Sequence, residues 1–515
     1  MNDRLERLRA SPSAAVKARL THPVIDTDVH VNDYAPVLEE YVQQYGGGKL
    51  VDALRRALGS RFTTRSEGRD WYQQSPAERQ AQRTLRAPWW ARVTGNTLDL
   101  ATYTLPALLA ERLEEQGADY SVLFPNDVLA PLAASADTRQ QLHRAINHFH
   151  ADQYRPYADR LTPVAGIPMH TPQQAIEELE FAGNVLGLKV INIPGGIKRP
   201  IRAIAEKYPS ADHPDVARHA SYVDFFGIDS EYDYDPFWAK VVELGVPVTT
   251  HYGSQGWTGR QSISNYMFNH IGHFADGSQA FAKALFFGGV TRRFPQLRVA
   301  LLEGGADWGA HVYTHLVDRW EKRNRVAVQH YNPAHADIDL LADLFGRYAP
   351  EFAAHEGFDR SRLLQDSLGI SAFPHSRQPE GDELDDFAAA GIESVEDIRS
   401  RWVDSFYFGS EADDRTVSSA FNARALPLNA RINAIWSSDI GHWDVRDLTE
   451  PLAESWGLVE QGVISTADFR AFVFDNPHRF YTQANPAFFA GTEVERKLNV
   501  ERASTIAPTP HARAA

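Results

Sequence analysis

Short apolar runs rich in valine, isoleucine and leucine recur along the chain, separated by longer segments with helical periodicity. A parallel strand buried on both faces has this continuous apolar character, and its connection to the next parallel strand requires a crossover, usually a helix. Eight strands are predicted, at residues 24–30, 120–125, 161–167, 188–193, 246–251, 297–303, 405–410 and 432–439. The alternation predicts an α/β fold of the (β/α)8 TIM-barrel type.

Two long segments do not fit this repeat: residues 31–100 after the first strand, and residues 325–404 between the sixth and seventh strands. We expect both to be insertions in a single barrel domain over residues 1–498, followed by a flexible tail at 499–515. Loops that follow barrel strands lie on the face where active sites are built. Segment 31–100 is therefore expected to be a lid or substrate wall, or alternatively a packing or subunit-contact element.

The composition excludes several classes of function. Lysine and arginine number 52 against 67 aspartate and glutamate residues, and the resulting charge of −15 disfavours binding to nucleic acid or anionic membranes. The chain has no cysteine, so any metal must be held by histidine, carboxylate or carbonyl oxygen. We find neither a signal-peptide pattern nor a membrane-length apolar run, and we expect a cytoplasmic homodimer that acts on a small molecule.

Side chains typical of metal sites gather where the predicted strands end. The first strand ends with Asp28 and His30, and residues two apart on a strand point to the same face at about 6.5 Å separation. An Asp-x-His pair alone is weak, because a chain of this length contains about one by chance. Further candidates end other strands independently: His251, Glu303, Glu411 with Asp413, and Asp439 with His442. A shared position at the barrel mouth would explain all of them.

Four stretches carry a resemblance to a known family: VIDTDVH, VPVTTHYG, GGVTRRFPQLRVALLEGGADW, and IWSSDIGHWD with the later FDNPHRFY. Together they resemble the amidohydrolase superfamily, in the branch that contains aminocarboxymuconate-semialdehyde decarboxylase and the resorcylate-type decarboxylases. The resemblance covers most of the barrel but neither insertion. It implies that Asp28, His30 and His251 bind a metal, and that Asp439 binds the metal and also handles protons.

One residue departs from the pattern of that branch. A histidine usually ends its sixth strand, whereas this chain has Glu303. A carboxylate donates a proton only when its pKa is raised, so Glu303 could be a general base, a metal ligand or a residue that holds a donor. His273 and His442 are the candidates to replace the missing acid.

We expect one divalent ion. Imidazole and carboxylate together suit Zn²⁺ first and leave Mn²⁺ or Fe²⁺ open. A second ion bridged by a modified lysine, known from other superfamily members, would need lysine at the end of the fourth strand, but Lys189 begins that strand and Asn192 lies nearer its end. The predicted substrate-binding residues are Tyr252, Trp257, Arg260, Asn192 and Trp443, where Arg260 could bind a carboxylate.

The leading hypothesis is a metal-dependent hydrolase that uses metal-activated water on a small organic substrate, carboxylated or aromatic. The alternative is a metal-dependent decarboxylase or hydratase. A third hypothesis, motivated by Glu303, is a barrel that binds a ligand without catalysis. Nucleotide binding is not favoured, because the glycine-containing stretch IPGGIKRP matches neither a dinucleotide fingerprint nor a P-loop.

Overall fold

The computed structural model of the protein describes residues 11–60, 71–86, 94–367 and 381–506. Parts of both predicted insertions, at 61–70, 87–93 and 368–380, lie outside the described residues, as does the end of the predicted tail at 507–515. The helix Glu493–Ile506 continues past residue 499, where the sequence predicted the tail to begin.

Each of the eight predicted strands is present, and we number them β1 to β8. The third contains a one-residue interruption. Their bounds are Ile25–Val31 (β1), Tyr120–Pro125 (β2), Leu161–Pro163 with Ala165–Gly166 (β3), Ile191–Asn192 (β4), Val248–Thr250 (β5), Val299–Leu301 (β6), Phe406–Glu411 (β7) and Asn433–Ser437 (β8).

The strands form a closed ring of parallel neighbours. β1, β2 and β3 pair in sequence order, and the second part of β3 continues through β4, β5, β6 and β7 to β8. The ring closes between β8 and β1, where the amide of Asp439 donates to the carbonyl of Asp28 (3.1 Å) and that of His30 donates to the carbonyl of Ile440 (2.8 Å). The predicted (β/α)8 barrel is confirmed.

Helices follow the strands and cover the barrel. The α-helices before β6 are Pro12–Lys17, Ala35–Ser60, Pro76–Gln82, Thr97–Thr102, Pro106–Gln116, Ala136–Tyr154, Pro172–Glu180, Arg202–Lys207, Pro214–His219, Asp235–Leu244, Tyr266–His270, His273–Phe287 and Val290–Arg293. The later α-helices are Asp307–Arg323, Ile338–Tyr348, Pro350–Ala353, Leu363–Ser367, Asp386–Ala389, Val395–Val403, Ser418–Phe421, Pro451–Glu460, Thr466–Arg470, Asn476–Ala484 and Glu493–Ile506.

Shorter elements complete the fold. The 3-10 turns are Trp71–Gln73, Ala130–Ala133, Arg155–Tyr157, Ala327–Tyr331, Pro333–His335, Gly381–Leu384, Arg415–Val417 and Pro427–Asn429, and two π-helical turns are Phe181–Leu186 and Ala471–Asp475. An antiparallel hairpin outside the barrel pairs Ile197–Pro200 with Ser221–Asp224.

The helix after β3 shows how local sequence sets these boundaries. The hydroxyl of Thr171 accepts a hydrogen bond from the amide of Gln174 (3.2 Å), and Pro172 occupies the first helical turn, where its missing N–H is not needed. After the π-helical turn, Gly187 ends the segment in the left-handed conformation (φ 73°). Both ends of this segment therefore follow from local sequence alone.

The chain divides into two compact units. The first comprises residues 1–313 with 399–515 and contains the whole barrel. The second comprises residues 314–398 and overlaps the predicted insertion at 325–404. The assignment of 1–498 to a single domain stays a prediction. Among the described residues, no helix combines the length and apolarity that crossing a membrane requires.

Candidate metal centre and active site

Side chains from the ends of four strands, β1, β5, β6 and β8, meet at the carboxyl end of the barrel. The imidazole Nε2 of His251, which follows β5, lies 2.9 Å from Asp28 Oδ2. The imidazole Nε2 of His30 lies 3.2 Å from Asp28 Oδ1. Asp28 and His30 share one face of β1, as their spacing predicts. The structure therefore brings together the three residues expected to bind metal from β1 and β5.

Glu303, which follows β6, lies at the centre of this group. Its Oε1 atom is 3.0 Å from His30 Nε2, 3.3 Å from His442 Nδ1 and 4.0 Å from His251 Nε2. The Glu303 side chain is only 2% exposed. The residue that departs from the family pattern is therefore part of the cluster itself.

Asp439 and His442, from the loop after β8, complete the cluster. His442 Nδ1 lies 2.9 Å from Asp439 Oδ1 and 3.0 Å from Asp439 Oδ2, and Asp439 Oδ1 is 3.4 Å from His30 Nε2. The His442 ring stacks on the His30 ring with 3.7 Å between centroids. All four predicted metal ligands and three of the four predicted catalytic residues, with Asp439 in both sets, thus lie within one group of contacts.

The backbone is strained at two of these positions. Glu303 (φ 58°) and Asp439 (φ 53°) both adopt the left-handed conformation, which non-glycine residues rarely occupy. Each residue turns the chain directly after a strand and faces the mouth. Such conformations cost about 1–3 kcal/mol and are concentrated at functional sites.

Gly441 allows the loop after β8 to pass against β1. A Cβ atom at position 441 would lie 2.1 Å from the carbonyl oxygen of His30, and the residue has φ 96°. Only glycine fits both the space and the backbone angle. This contact sets where the loop carries His442 over the ring of His30.

Asp26 lies below the cluster on the same face of β1. Its Oδ1 atom accepts hydrogen bonds from the amides of Asp28 (3.2 Å) and Ser438 (3.1 Å), and Gln116 Nε2 donates to Oδ2. Burial raises the pKa of Asp26 to about 7. These hydrogen bonds connect β1 to the end of β8 just beneath the proposed ligands, where Asp26 can support them without binding metal itself.

The ionisable groups of the cluster strongly perturb one another. Burial opposes a charge on His30, but the neighbouring Asp28 and Glu303 carboxylates outweigh it and raise the His30 pKa to about 9. Burial and the charge of Glu303 raise the pKa of Asp439 well above its usual range. The His442 and His30 imidazoles hold the pKa of Glu303 well below its usual range despite burial. The carboxylates of this cluster thus depend on nearby positive charge.

The residues fit a divalent metal ion. Three buried carboxylate oxygens, Asp28 Oδ1, Glu303 Oε2 and Asp439 Oδ1, accept no hydrogen bond of normal geometry, although imidazole nitrogens of His30 and His442 lie 3.2 and 2.9 Å from the first and the third. Ligand atoms of Asp28, His30, His251 and Glu303 all lie within 4.8 Å of one another, as do those of His30, Glu303, Asp439 and His442. Atoms bonded at about 2.1 Å to one ion lie roughly 3 to 3.5 Å apart, close to the separations above.

A cavity of about 790 Å³ opens above the cluster. Among the predicted site residues that line it are Asn192 at the end of β4, His273 and Trp443. The His273 ring is nearly buried, and burial lowers its pKa to about 3, so it is neutral near pH 7. Lys189 donates to the carbonyl of Phe488 (3.1 Å) and does not line the cavity, in agreement with the expected single metal ion.

The other three predicted substrate-binding residues do not line this cavity. Tyr252 packs against Gly195 and against the ring of Phe225, with 5.9 Å between centroids. The Trp257 ring lies 6.3 Å from the Tyr252 ring between centroids. The Arg260 guanidinium pairs with Asp276 and donates to the carbonyls of Asn269 (2.8 Å) and Ile271. The predicted carboxylate-binding role of Arg260 is not supported by this arrangement.

Four further acids line the cavity, namely Glu411 at the end of β7, the following Asp413 and Asp414, and Asp444 after β8. The sequence offered Glu411 and Asp413 as candidates at a strand end without a role, whereas Asp414 and Asp444 were not among its candidates. Burial and the charges of Asp444 and Glu303 raise the pKa of Glu411 to about 8. The acidic end of the seventh strand was visible in the sequence and was the available signal for this group.

Comparison with known proteins places the chain in a family. A family model described as amidohydrolase matches residues 25–360. A search of curated proteins finds no match. Solved structures with a similar fold include 2,6-dihydroxybenzoate decarboxylase from Rhizobium, with 14% identity over 90% of this chain and 99% of that chain and a TM-score of 0.46.

A second solved structure is dihydroxybenzoic acid decarboxylase from Polaromonas sp. JS666 with bound manganese and the inhibitor 2-nitroresorcinol, with 15% identity over 90% of this chain and 97% of that chain and a TM-score of 0.45. A third is 5-carboxyvanillate decarboxylase from Sphingomonas paucimobilis, with 14% identity over 89% of this chain and 98% of that chain and a TM-score of 0.43. All three likenesses are distant. The family model, by contrast, spans well over half of the chain and covers the first six strands of the barrel. The chain therefore belongs to the amidohydrolase family of enzymes.

Proposed function

We propose that this enzyme is a mononuclear, metal-dependent hydrolase of a small organic substrate. The observation that carries the proposal is the convergence of Asp28, His30, His251 and Glu303 beneath an open cavity, with buried carboxylate oxygens that accept no hydrogen bond. A purely structural cluster would pair those oxygens with donors, because an unpaired buried charge is costly.

Asp28, His30 and His251 are the proposed ligands, and Glu303 and Asp439 are close enough to add a carboxylate oxygen each. A bound ion would supply Lewis acidity, which lowers the pKa of a water molecule and polarises a substrate oxygen. The mixture of imidazole and carboxylate favours Zn²⁺, with Mn²⁺ and Fe²⁺ as alternatives.

Asp439 is the proposed general base. Its carboxylate borders both the metal cluster and the cavity, so it can take a proton from water held there. His442, within 3.0 Å of Asp439 Oδ2, orients this carboxylate and can carry the proton onward to a leaving group. His273 lines the cavity as a neutral imidazole that can hold substrate by a hydrogen bond.

Metal-dependent decarboxylation is the second candidate. It needs a proton donor beside the substrate, and the position of His442 over His30 favours it, because an imidazole there could replace the histidine missing from β6. The acidic character of the cavity favours hydrolysis, since no described lysine or arginine lines it to receive a carboxylated substrate.

The first experiment measures metal content and turnover together. Protein reconstituted with Zn²⁺, Mn²⁺ or Fe²⁺ is assayed against a panel of chromogenic esters, anilides and lactones. We expect one equivalent of metal and hydrolysis that disappears in His251→Ala. The matched control is His330→Ala, a histidine outside the barrel unit. Turnover that persists in metal-free protein, or equally in His251→Ala, would contradict the proposal.

The second experiment separates the two candidates. The reconstituted protein is incubated with 2,6-dihydroxybenzoate and 5-carboxyvanillate, on which the enzymes compared above act according to their names, and released CO₂ is measured. We expect no release above the metal-only background. Release at enzymatic rates that depends on His442 would replace hydrolysis with decarboxylation.

A further inference from the structure

The cavity above the metal cluster has a strongly acidic wall. Its lining contains seven carboxylates: Glu303, Asp307, Glu411, Asp413, Asp414, Asp439 and Asp444. Among the described residues that line it, none is a lysine or an arginine. A single divalent ion offsets only two of these formal negative charges. Burial and the neighbouring acids raise the pKa of Glu411 to about 8, and a cation bound at the wall would favour its ionised form.

Carboxylate oxygens of Glu411, Asp439 and Asp444 come within 4.8 Å of one another. Asp439 is buried, with its side chain 2% exposed, and its Oδ1 atom accepts no hydrogen bond. Within the described part of the chain, Glu411 forms no ion pair, and Asp444 has only a distant contact with His270 (3.9 Å). Imidazoles lie beside Glu303 and Asp439, but Glu411 and Asp444 lack the close cationic partner that buried carboxylates normally have.

The arginine nearest in sequence to the metal ligand His251 does not supply that partner. The Arg260 side chain is held by Asp276 and by the carbonyls of Asn269 and Ile271. Moving it into the cavity would break an ion pair and leave two carbonyl groups without their donor.

Another part of the cavity lining is apolar and aromatic. Tyr266, His270 and Trp443 form a group of rings, with His270 and Tyr266 at 5.3 and 6.3 Å from Trp443 between centroids. The cavity is also lined by Phe124, Val128, Leu129, Ile271 and Phe274. A neighbouring acidic wall and aromatic faces both attract an organic cation with an apolar body.

We propose that the substrate is an organic cation: a small molecule whose ammonium, amidinium or guanidinium group lies against Glu411 and Asp444 while its hydrolysable bond lies at the cluster of Asp28, His30 and His251. This inference rests on the proposed hydrolase function for the reaction, but the preference for positive charge is a property of the cavity alone. It therefore predicts that anionic aromatic acids bind poorly.

The test uses three planar molecules of nearly the same shape, namely benzamidine, benzamide and benzoate. Their binding to protein loaded with one equivalent of Zn²⁺ is measured by calorimetry, independently of turnover. We expect benzamidine to bind at least about 10-fold more tightly than benzamide, and benzoate to bind most weakly, because a carboxylate pair to a cation in a partly desolvated site gives charge-assisted hydrogen bonds.

The double variant Glu411→Gln with Asp444→Asn should bring the affinity ratio of benzamidine to benzamide close to one. Asp212→Asn, which removes an exposed acid far along the sequence from the cavity residues, serves as the control and should keep the wild-type ratio. Benzoate as the tightest ligand, or an unchanged ratio in the double variant, would overturn the inference.

Two further outcomes remain distinguishable. If wild type binds two equivalents of Zn²⁺ and the double variant only one, the acidic wall holds a second metal ion and the inference fails. If no ester, anilide or lactone is hydrolysed but benzamidine retains its preference, the hydrolase proposal fails and the cationic ligand class stands.

Discussion

Buried acids at the two ends of the barrel differ in their hydrogen-bond partners. At the amino end, Asp119 precedes β2 and is fully buried. Its Oδ2 atom accepts hydrogen bonds from the amide of Val24 (2.7 Å) and from Lys17, and its Oδ1 atom accepts one from Lys497. At the carboxyl end, Asp28, Glu303 and Asp439 each keep a buried oxygen without a donor.

The difference separates an acid that holds the fold from acids that serve a site. Two lysines and a backbone amide bind Asp119, so removal of its charge should chiefly affect stability. Among the described residues, the three acids at the mouth pair only with imidazoles, and two of these acids lie on strained backbone. This is the arrangement that the proposed metal site requires.

Loss of a mouth ligand should give the largest effect. His251→Ala is expected to lower kcat by about 1000-fold or more, since several kcal/mol of transition-state stabilisation depends on the ion. Metal content, measured by elemental analysis, should fall with it. Lys497→Met, at the amino end, should retain one equivalent of metal; loss of metal there would erase the distinction between the two ends.

Removal of the amino-end charge should give the next largest effect, on stability. Asp119→Asn is expected to lower the free energy of unfolding by about 3 kcal/mol, because it leaves Lys17 buried without its partner. Asp439→Asn in metal-free protein should leave stability unchanged or raise it, because burial and the charge of Glu303 raise the pKa of Asp439 well above its usual range and make its ionised form unfavourable in the fold. Urea unfolding in the presence of a chelator compares the two variants. Equal losses would show that the mouth acids also hold the fold.

Metal binding should raise the free energy of unfolding through the residues at the mouth and not through Asp119. Free Zn²⁺ at 100 times its dissociation constant is expected to raise the free energy of unfolding by about 2.7 kcal/mol. The same increase should occur in Asp119→Asn and should be absent in His251→Ala, as followed by urea titrations with and without metal. An increase that survives in His251→Ala would place the stabilising ion elsewhere.

The smallest expected effect is the change in stability caused by relieving the backbone strain at position 439. Asp439→Gly should be more stable than Asp439→Ala by about 1 kcal/mol, because glycine adopts the left-handed conformation without penalty. Both variants lose the carboxylate, so their comparison removes the effect of charge. Thermal unfolding of the metal-free proteins measures the difference, and the reverse order of stability would argue against strain at this position.

The barrel and the convergence of the proposed metal ligands were predictable from the sequence because both depend on short-range patterns. Strands such as β2 (YSVLFP) are largely apolar runs, and Asp28, His251 and Asp439 stand at or next to the ends of other strands, where a parallel barrel brings them together. The helix boundaries at Thr171 and Gly187 followed from equally local rules.

The residues around the cavity were less predictable, because they lie on long loops whose side-chain directions depend on contacts with other segments of the chain. Arg260 follows His251 closely in sequence, yet its direction is set by carbonyl groups of Asn269 and Ile271. Glu411 was visible at a strand end, but the gathering of acids around it depends on how two separate loops fold over the mouth. No pattern of spacing encodes that arrangement.

The contact at Gly441 has a consequence for anyone who redesigns this pocket. Because position 441 tolerates no side chain against the carbonyl of His30, the loop that carries His442 and Trp443 cannot be lengthened, shortened or randomised from its first residues without displacing β1. Libraries aimed at new substrates should hold residues 439 to 441 fixed and diversify from 443 onward, where the chain leaves the barrel.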